Sequence, residues 1–520
     1  MRDFLLIYVN GARHEIRGPR AFQSLSDFLR YDLRLTGTKV VCAEGDCGSC
    51  SVFTGTPGRG GPNRIDYRTV TSCIQFLYQL DGAHVVTVEG LKYEGQLNPV
   101  QDAMVRCHGA QCGFCTSGFV VSLCSNYETA RRPDENDVRA ACVGNLCRCT
   151  GYEPIVRAGM DVDAKGMRAL NELYPPAPIL DDLRARAREE VLIRADDRTC
   201  FIPTNVASAT RFRAEHPDCA IVAGGTDLGV QVNKGIRDPA VVMSLCALDE
   251  LREVRRDGDA LIVGATATLS ELERACAGAL PEYARLLYWF GSPPIRNAGT
   301  LGGNIANGSP IGDTMPALYV LDAEIELTGI NGARRVNIND FYTGYRKTVM
   351  AADELITRVF IPLPDTDEIF KLYKVSKRKD LDIAAFTAAI WMRVSAHGLG
   401  VSPEHSPPQR LSHGRDARAT IEDARLAYGG VGPNIIRLRQ TEAFLRGKGL
   451  TPGVLADAGR MARTEISPIS DVRGGAEYRA QLAENILRKF FHDVSEADDA
   501  GGNGHYEPHG NGRVSPPRFA

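Results

Sequence analysis

The chain has 520 residues, 43% hydrophobic and 24% charged, with 61 basic and 64 acidic side chains and a formal net charge of −3. At roughly 150 residues per domain this is three or four domains, and the composition excludes a mainly disordered chain or a membrane protein. The lack of a basic excess argues against nucleic acid and anionic membranes as partners.

The opening DFLLIYVNGARHEIRG sets two apolar-rich runs around Asn10-Gly11, a dipeptide suited to the positive φ angles of a type I′ hairpin turn. Its apolar stretch, Phe4 to Val9, is six residues long, too short for a signal-peptide core. No run approaches the roughly 18 apolar residues that span a bilayer, so a cytoplasmic, reducing setting is expected. SLSDFLRYDLRL, capped by Ser26, shows helical spacing at residues 25, 28, 29 and 33. A closing strand, His84 to Val88, completes an α+β unit over residues 1–90. Asn98-Pro99 reads as a cap and first helical position, opening an all-helical unit over 91–173. Pro175, Pro176 and Pro178 followed by DDLRARAREE mark an exposed linker, 174–195. Over 196–364, Val/Ile strands such as AIVAGG and ALIVGA alternate with helical stretches, as in an α+β domain. Residues 365–494 read as another, with strand-like FKLYKVSKR, IAAFTAAIWMRV and ARLAYGGV and two amphipathic helices. Inside it, 397–420 carries three prolines and three histidines and reads as a polar surface insertion, and 495–520 reads as a disordered tail.

Eleven of the fifteen cysteines fall within the first 150 residues, a crowding that in a reducing compartment favours metal binding over disulfides. Cys42, Cys47 and Cys50 form C-x4-C-x2-C, and with Cys73 they give the plant-type spacing of a [2Fe-2S] cluster. Such a cluster is anionic, so backbone N–H groups must turn toward sulfur, and Gly45 and Gly48 allow that approach. A second set pairs Cys112 and Cys115 with Cys147 and Cys149. Residues i and i+2 diverge on a helix, so Cys147 and Cys149 need a non-helical turn to grip one site. Each pair precedes a helical pattern, which sets two helix N-termini toward one anionic site. On spacing alone, structural zinc stays open for both sets. Cys107, Cys124 and Cys142 follow no pattern and read as buried small hydrophobes.

Two glycine-rich segments follow, IVAGGTDLG at 221–229 and RNAGTLGGNIANGSPIGD at 296–313. Both allow backbone N–H groups to approach a diphosphate, although tight turns need glycine too. Neither is the Rossmann G-x-G-x-x-G fingerprint.

The order C-x4-C-x2-C, then QCGFC and NLCRCTGY, resembles the iron–sulfur half of the molybdenum hydroxylases, in particular the xanthine dehydrogenase branch. The resemblance implies a multidomain α+β chain with two [2Fe-2S] clusters. One lies in a β-grasp ferredoxin-like domain held by Cys42, Cys47, Cys50 and Cys73, the other in an all-helical domain held by Cys112, Cys115, Cys147 and Cys149. The glycine-rich segments, with GYRKT at 344–348, resemble the α+β FAD-binding domain shared with CO dehydrogenase flavoproteins, and LAYGGVGP at 426–433 resembles its α+β C-terminal domain. Carried over, the FAD contacts fall on Val222, Ala223, Gly224, Gly225, Thr226, Asp227, Leu228, Gly229, Phe290, Thr300, Leu301, Gly302, Gly303, Asn304, Asp313, Ile356 and Lys374. Read without the resemblance, Phe290 is a core aromatic, and Asp313 and Lys374 are solvated charges.

What the family implies for function is an electron-transfer subunit, with NAD as acceptor and the molybdenum-pterin centre only in a large partner subunit. The expected assembly is a heterotetramer of two small and two large subunits, with no nucleic acid and no membrane. No catalytic residue is assigned to this chain, because substrate oxidation falls to the partner. A hydroxylase of an aldehyde, nicotinate or another N-heterocycle would use the same electron chain, and a zinc-binding, non-catalytic interaction protein is the alternative of another class. The family usually has glycine where Val41 and Ala43 stand, and proline at Ser117.

Overall fold

The computed structural model describes residues 1–58, 61, 63–129, 133–396, 419–499, 508–509 and 513–514. β1 (Phe4–Val9) and β2 (Ala12–Arg17) form the expected antiparallel hairpin, with Asn10 and Gly11 at φ of 48° and 82°. The helix that follows, α1 (Leu25–Asp27), is capped by Ser24 and not by Ser26. Ser24 Oγ accepts from Asp27 N at 3.1 Å, the three-residue reach a cap requires, while Ser26 is buried within the turn with its hydroxyl against that of Ser24. Two strands that periodicity did not mark, β3 (Ser51–Pro57) and β4 (Ile65–Thr71), join the sheet. The closing strand, β5 (Ala83–Val86), ends two residues early in a 3-10 turn, Val88–Leu91. The order is β2-β1-β5-β3-β4 with β1 and β5 parallel, the β-grasp arrangement.

Five helices build the second unit: α2 (Pro99–Arg106), α3 (Thr116–Thr129), α4 (Glu135–Ala141), α5 (Glu153–Met160) and α6 (Leu170–Leu173). Asn98 caps α2 in a reciprocal exchange with Gln101. The interior of this unit, including Phe119, Leu123, Val138 and Ile155, continues onto Phe53 and Val86 of the sheet.

The segment expected as an exposed linker is folded and packed. α7 (Pro176–Arg186) buries Ile179, Leu180 and Leu183 against Phe4, Leu6, Tyr8 and Ile65. Prolines are well tolerated in a first helical turn, so the cluster that suggested a connector marks a helix start. β6 (Val191–Ala195) then joins β7 (Arg198–Ile202), β8 (Ala220–Val222) and β9 (Val241–Ser244) in the order β6-β7-β9-β8, with α8 (Val206–Glu215) and α9 (Leu228–Asn233) as crossovers. Leu5, Ile7 and Val9 share one apolar interior with Val191, Ile193, Val222 and Val242. Backbone hydrogen bonds from Arg2 N to Glu190 O (2.7 Å) and from Leu192 N to Arg2 O (2.9 Å) tie the first residues to β6.

A five-stranded antiparallel sheet follows, built from β10 (Val254–Asp257), β11 (Ala260–Gly264), β12 (Glu324–Gly329) and β13 (Gly332–Asn337). Between β11 and β12 run α10 (Leu269–Ala279), α11 (Pro281–Tyr288), α12 (Pro293–Arg296), α13 (Leu301–Asn307) and α14 (Met315–Val320). After α15 (Ile338–Phe341) and the small pair β14 (Tyr342–Gly344) and β15 (Lys347–Thr348), β16 (Leu355–Pro362) enters the sheet between β11 and β12. The last sheet, β17 (Glu368–Val375), β18 (Phe386–Ala396), β19 (Ala419–Gly429) and β20 (Ile436–Arg437), is covered by α16 (Arg439–Leu445), α17 (Pro452–Ala462) and α18 (Ala476–Asp499). Three helices stand where two were expected. α18 runs past residue 495, since no glycine or proline interrupts it before Asp499. The insertion lies outside the described residues up to 418, as does the tail apart from the end of α18 and a two-residue pairing of Pro508–His509 with Arg513–Val514.

His84 on β5 is fully buried among Tyr8, Tyr67 and Tyr174. Its Nε2 accepts from Gly11 N at 3.0 Å, so the proton sits on Nδ1 and is donated to Tyr67 Oη at 2.6 Å. Burial lowers its pKa from 6.5 to about 4. The unfolded chain therefore binds one more proton between these values, and stability falls as pH drops from about 6.5 toward 4, by about 3 kcal/mol. Urea denaturation across this range is expected to show that slope, and His84→Gln to remove it.

Candidate functional site

The first cysteine set assembles at one end of the β-grasp sheet. Cys42, Cys47 and Cys50 lie on the loop entering β3, and Cys73 lies in a 3-10 turn, Ser72–Ile74, leaving β4. The Cys42 thiol meets those of Cys47 and Cys73, and Cys50 meets Cys73. Glu44 N and Cys47 N each donate to Cys42 Sγ at 3.4 Å, the backbone-to-sulfur approach that an anionic centre needs. The bonds from Cys47 and Cys73, with those N–H groups, hold the Cys42 thiol far below its ordinary range. The same shared bonds push Cys47 and Cys73 up. Ala43, where the resemblance leads one to expect glycine, sits at φ 55°, a left-handed conformation that costs an alanine energy.

The second set forms from two loops. Cys112 and Cys115 precede α3, and Cys147 and Cys149 lie in the non-helical turn that spacing demanded, ahead of α5. Cys112 meets Cys149 and Cys115 meets Cys147. Burial pushes the Cys115 thiol up to about 12, whereas Cys112 and Cys149 are exposed. Thr150 Oγ1 stands 3.2 Å from Cys147 Sγ, and Cys147 N donates to Tyr152 Oη at 3.0 Å. Among the described residues no three His, Cys, Asp or Glu side chains group to hold one metal ion. The thiols of the second set meet in two pairs and those of the first in one row, Cys47, Cys42, Cys73 and Cys50, and a binuclear cluster takes two thiolates on each iron.

The two sets are joined directly. Leu146 N, one residue before Cys147, donates to Cys47 O at 3.0 Å. Gly48, at φ 67°, makes room for this contact, since a Cβ there would lie 2.2 Å from Gly144 O. Ser117 Oγ donates to Ser49 O at 3.3 Å, a link that proline at that position would not make.

Near the first set lie two cavities, of about 350 and about 940 Å³, which share Asp227, Phe290, Asn304, Asn307 and Arg346. Val222 to Leu228 form one wall of the smaller cavity, and Thr300, Gly303 and Asn304 form another at the start of α13. Thr300 caps that helix, its Oγ1 accepting from Gly303 N at 3.0 Å. Asp313 and Lys374 line the larger cavity as a buried ion pair of 2.7 Å, with side chains 7% and 8% exposed. Lys374 also donates to Trp289 O at 2.9 Å. Burial raises the Asp313 carboxyl against the pull of Lys374, and its Oδ1 has no hydrogen-bond partner. These two are not the solvated charges that residue type alone suggests.

A glycine-lined wall, a capped helix start and an unpaired buried carboxylate oxygen fit an elongated ligand with a diphosphate and a polar ring. Lys374→Met leaves Asp313 buried without its counter-charge and is expected to cost about 3–5 kcal/mol in urea denaturation. Adding Asp313→Asn is expected to recover most of that loss.

Four of the residues carried over from the family do not line either cavity. Gly229 packs on Ile74, where a Cβ would lie 2.5 Å from Ile74 O, and Gly302 packs on Ala265. Leu301 and Ile356 sit in the apolar core. The larger cavity also takes Ile295 and, from the C-terminal unit, Asp471, Arg473 and Arg479, which no motif marked. Arg346 was within reach of the sequence, inside GYRKT.

Residues 87–160 match the [2Fe-2S] binding domain, 195–364 the FAD binding domain in molybdopterin dehydrogenase, and 371–494 the CO dehydrogenase flavoprotein C-terminal domain. The chain thus carries a [2Fe-2S] binding domain, an FAD binding domain of the molybdopterin dehydrogenase kind and a CO dehydrogenase flavoprotein C-terminal domain, one after another. It is similar to xanthine dehydrogenase 1 of Arabidopsis thaliana, 31% identical over 95% of this chain and 40% of the relative, and to xanthine dehydrogenase/oxidase of Gallus gallus, 28% identical over 97% and 41%. Among solved structures, reconstituted CO dehydrogenase from Oligotropha carboxidovorans superposes with a TM-score of 0.50 at 27% identity, covering 57% of this chain and 96% of that one. The chain spans about 40% of the length of the curated relatives it matches. Among the described residues no helix is long and apolar enough to cross a membrane.

Proposed function

We propose that the chain is the electron-transfer subunit of a xanthine dehydrogenase, carrying electrons from a molybdenum-pterin centre in a large partner subunit to NAD⁺ as hypoxanthine and xanthine are oxidised to urate. The observation that supports this most is that the three sites are joined by direct contacts. The second set, of which Cys112 and Cys149 are exposed, is joined to the first through the hydrogen bond from Leu146 to Cys47, and Ile295 packs on Cys50, Cys73 and Ile74 while lining the larger cavity. When bound, two [2Fe-2S] clusters at the cysteine sets and FAD in the cavities supply one-electron relay and hydride delivery.

The residues of this chain hold and orient these groups. Cys42, Cys47, Cys50 and Cys73 hold the inner cluster, and Cys112, Cys115, Cys147 and Cys149 the outer one. Val222 to Leu228 with Thr300, Gly303 and Asn304 hold the diphosphate of FAD, while Phe290, Asp313 and Lys374 orient its ring. The exposed ligands Cys112 and Cys149 face the partner, in an assembly of two small and two large subunits. A cytoplasmic, reducing compartment keeps the fifteen cysteines free.

The likeness of the flavin half to CO dehydrogenase favours one second reading, the same electron chain serving a partner with another substrate. The test is purification with native partners, followed by metal, sulfide and flavin analysis. About four iron atoms and about one FAD per chain are expected, with molybdenum only in a larger companion and xanthine-dependent NAD⁺ reduction by the complex. A complex active on an aldehyde or N-heterocycle but not on xanthine supports the second reading. A colourless, zinc-containing chain overturns both.

A further inference from the structure

The cavity wall at Phe290 and Gly291 is held from behind. Arg296, 6% exposed, donates from Nη1 to the carbonyl oxygens of Phe290 (3.1 Å) and Gly291 (3.3 Å). Its Nε stands 3.2 Å from Glu273 Oε2, a buried pair, and its guanidinium lies 5.6 Å from the centre of the Tyr288 ring. Gly291 turns the chain at φ 53°, so both carbonyls converge on the one guanidinium.

The neighbours of Arg296 reach both cysteine sets. Ile295 packs on Cys50 and Cys73. Asn297 Nδ2 donates to Thr69 O of β4 at 2.9 Å. Ser292, the cap of α12, lies against Gly144 in the loop leading to Cys147, where a Cβ on the glycine would come within 2.5 Å of Ser292 Cβ. One short helix and its flanks therefore touch the cavity, two thiols of the first set and the loop that leads to the second set.

Resting on the reading that FAD occupies this cavity, we propose that Arg296 is a positioning residue: it fixes the Phe290–Gly291 wall against the flavin ring and keeps that wall in register with the Cys50 and Cys73 site. The role needs arginine. One nitrogen of the planar guanidinium, Nη1, donates to two carbonyls while a second, Nε, faces a carboxylate, whereas a lysine ammonium is a point charge on a flexible stem.

The test uses the holoprotein carrying Arg296→Lys, which keeps a positive charge opposite Glu273. The expected result is FAD release about tenfold faster, as loss of charge-assisted hydrogen bonds implies, with a shifted flavin absorption band and unchanged iron EPR signals. Glu273→Gln, which removes the charge that aims the guanidinium, is expected to shift both flavin readouts the same way by less, and it decides the matter if Arg296→Lys does not fold. Native release and a native spectrum in folded variants overturn the proposal. So does loss of FAD accompanied by equal loss of both iron signals, which marks a role in folding only. Failure of the underlying reading looks different, because the unaltered chain then purifies without flavin.

Discussion

Reduced anaerobically with dithionite, the Cys149→Ser protein is expected to keep its flavin and to lose one of two EPR signals completely. Cys149 is exposed, its thiol partner is Cys112, and its loop contributes nothing to either cavity. Serine offers a hard oxygen in place of the soft thiolate that iron–sulfur centres select, so the outer centre fails while the four inner thiols are untouched. An exposed substitution of this kind changes stability by about 0.5 kcal/mol or less, which separates loss of a ligand from loss of fold. Two unchanged signals would remove Cys149 from the ligand set.

Gly224→Ala is expected to empty the flavin site while both iron signals persist. A Cβ at this position would lie 2.1 Å from Ala298 O and 2.8 Å from the Gly299 Cα. Those atoms belong to the strand of chain leading into Thr300, so the new methyl group drives apart the two walls that form the smaller cavity. Backbone faces backbone here, and no flexible side chain can yield. Overpacking of this sort costs about 1–3 kcal/mol, which a chain of this size survives. The measurement is the ratio of FAD to iron in purified protein. A native ratio would show that the wall from Val222 to Leu228 does not hold the diphosphate.

Much of the candidate site was legible because cysteine spacing and glycine placement are local signals. Cys42, Cys47 and Cys50 sit on one loop, and the need for non-helical turns at Cys147 and Cys149 follows from helix geometry alone. The hairpin at Asn10-Gly11 and the cap at Asn98 are equally local. What stayed hidden depends on distant packing. Pro175 to Glu190 has the composition of a connector, yet three apolar residues on one face of α7 find a sheet to cover. Asp313 and Lys374 look like surface charges until folding buries them together. Arg296 carries no motif, because its function lies in two carbonyl groups that any residue possesses.

The interior shared by β1 and β6 bears on how such a protein keeps time. Leu5, Ile7, Val191 and Val242 share one apolar interior, so common packing joins the first ninety residues to the sheet of β6 to β9. On the proposed function, relay centres mounted on it would need no encounter step between them. Their spacing is set once, when the polypeptide folds, and every later turnover inherits it.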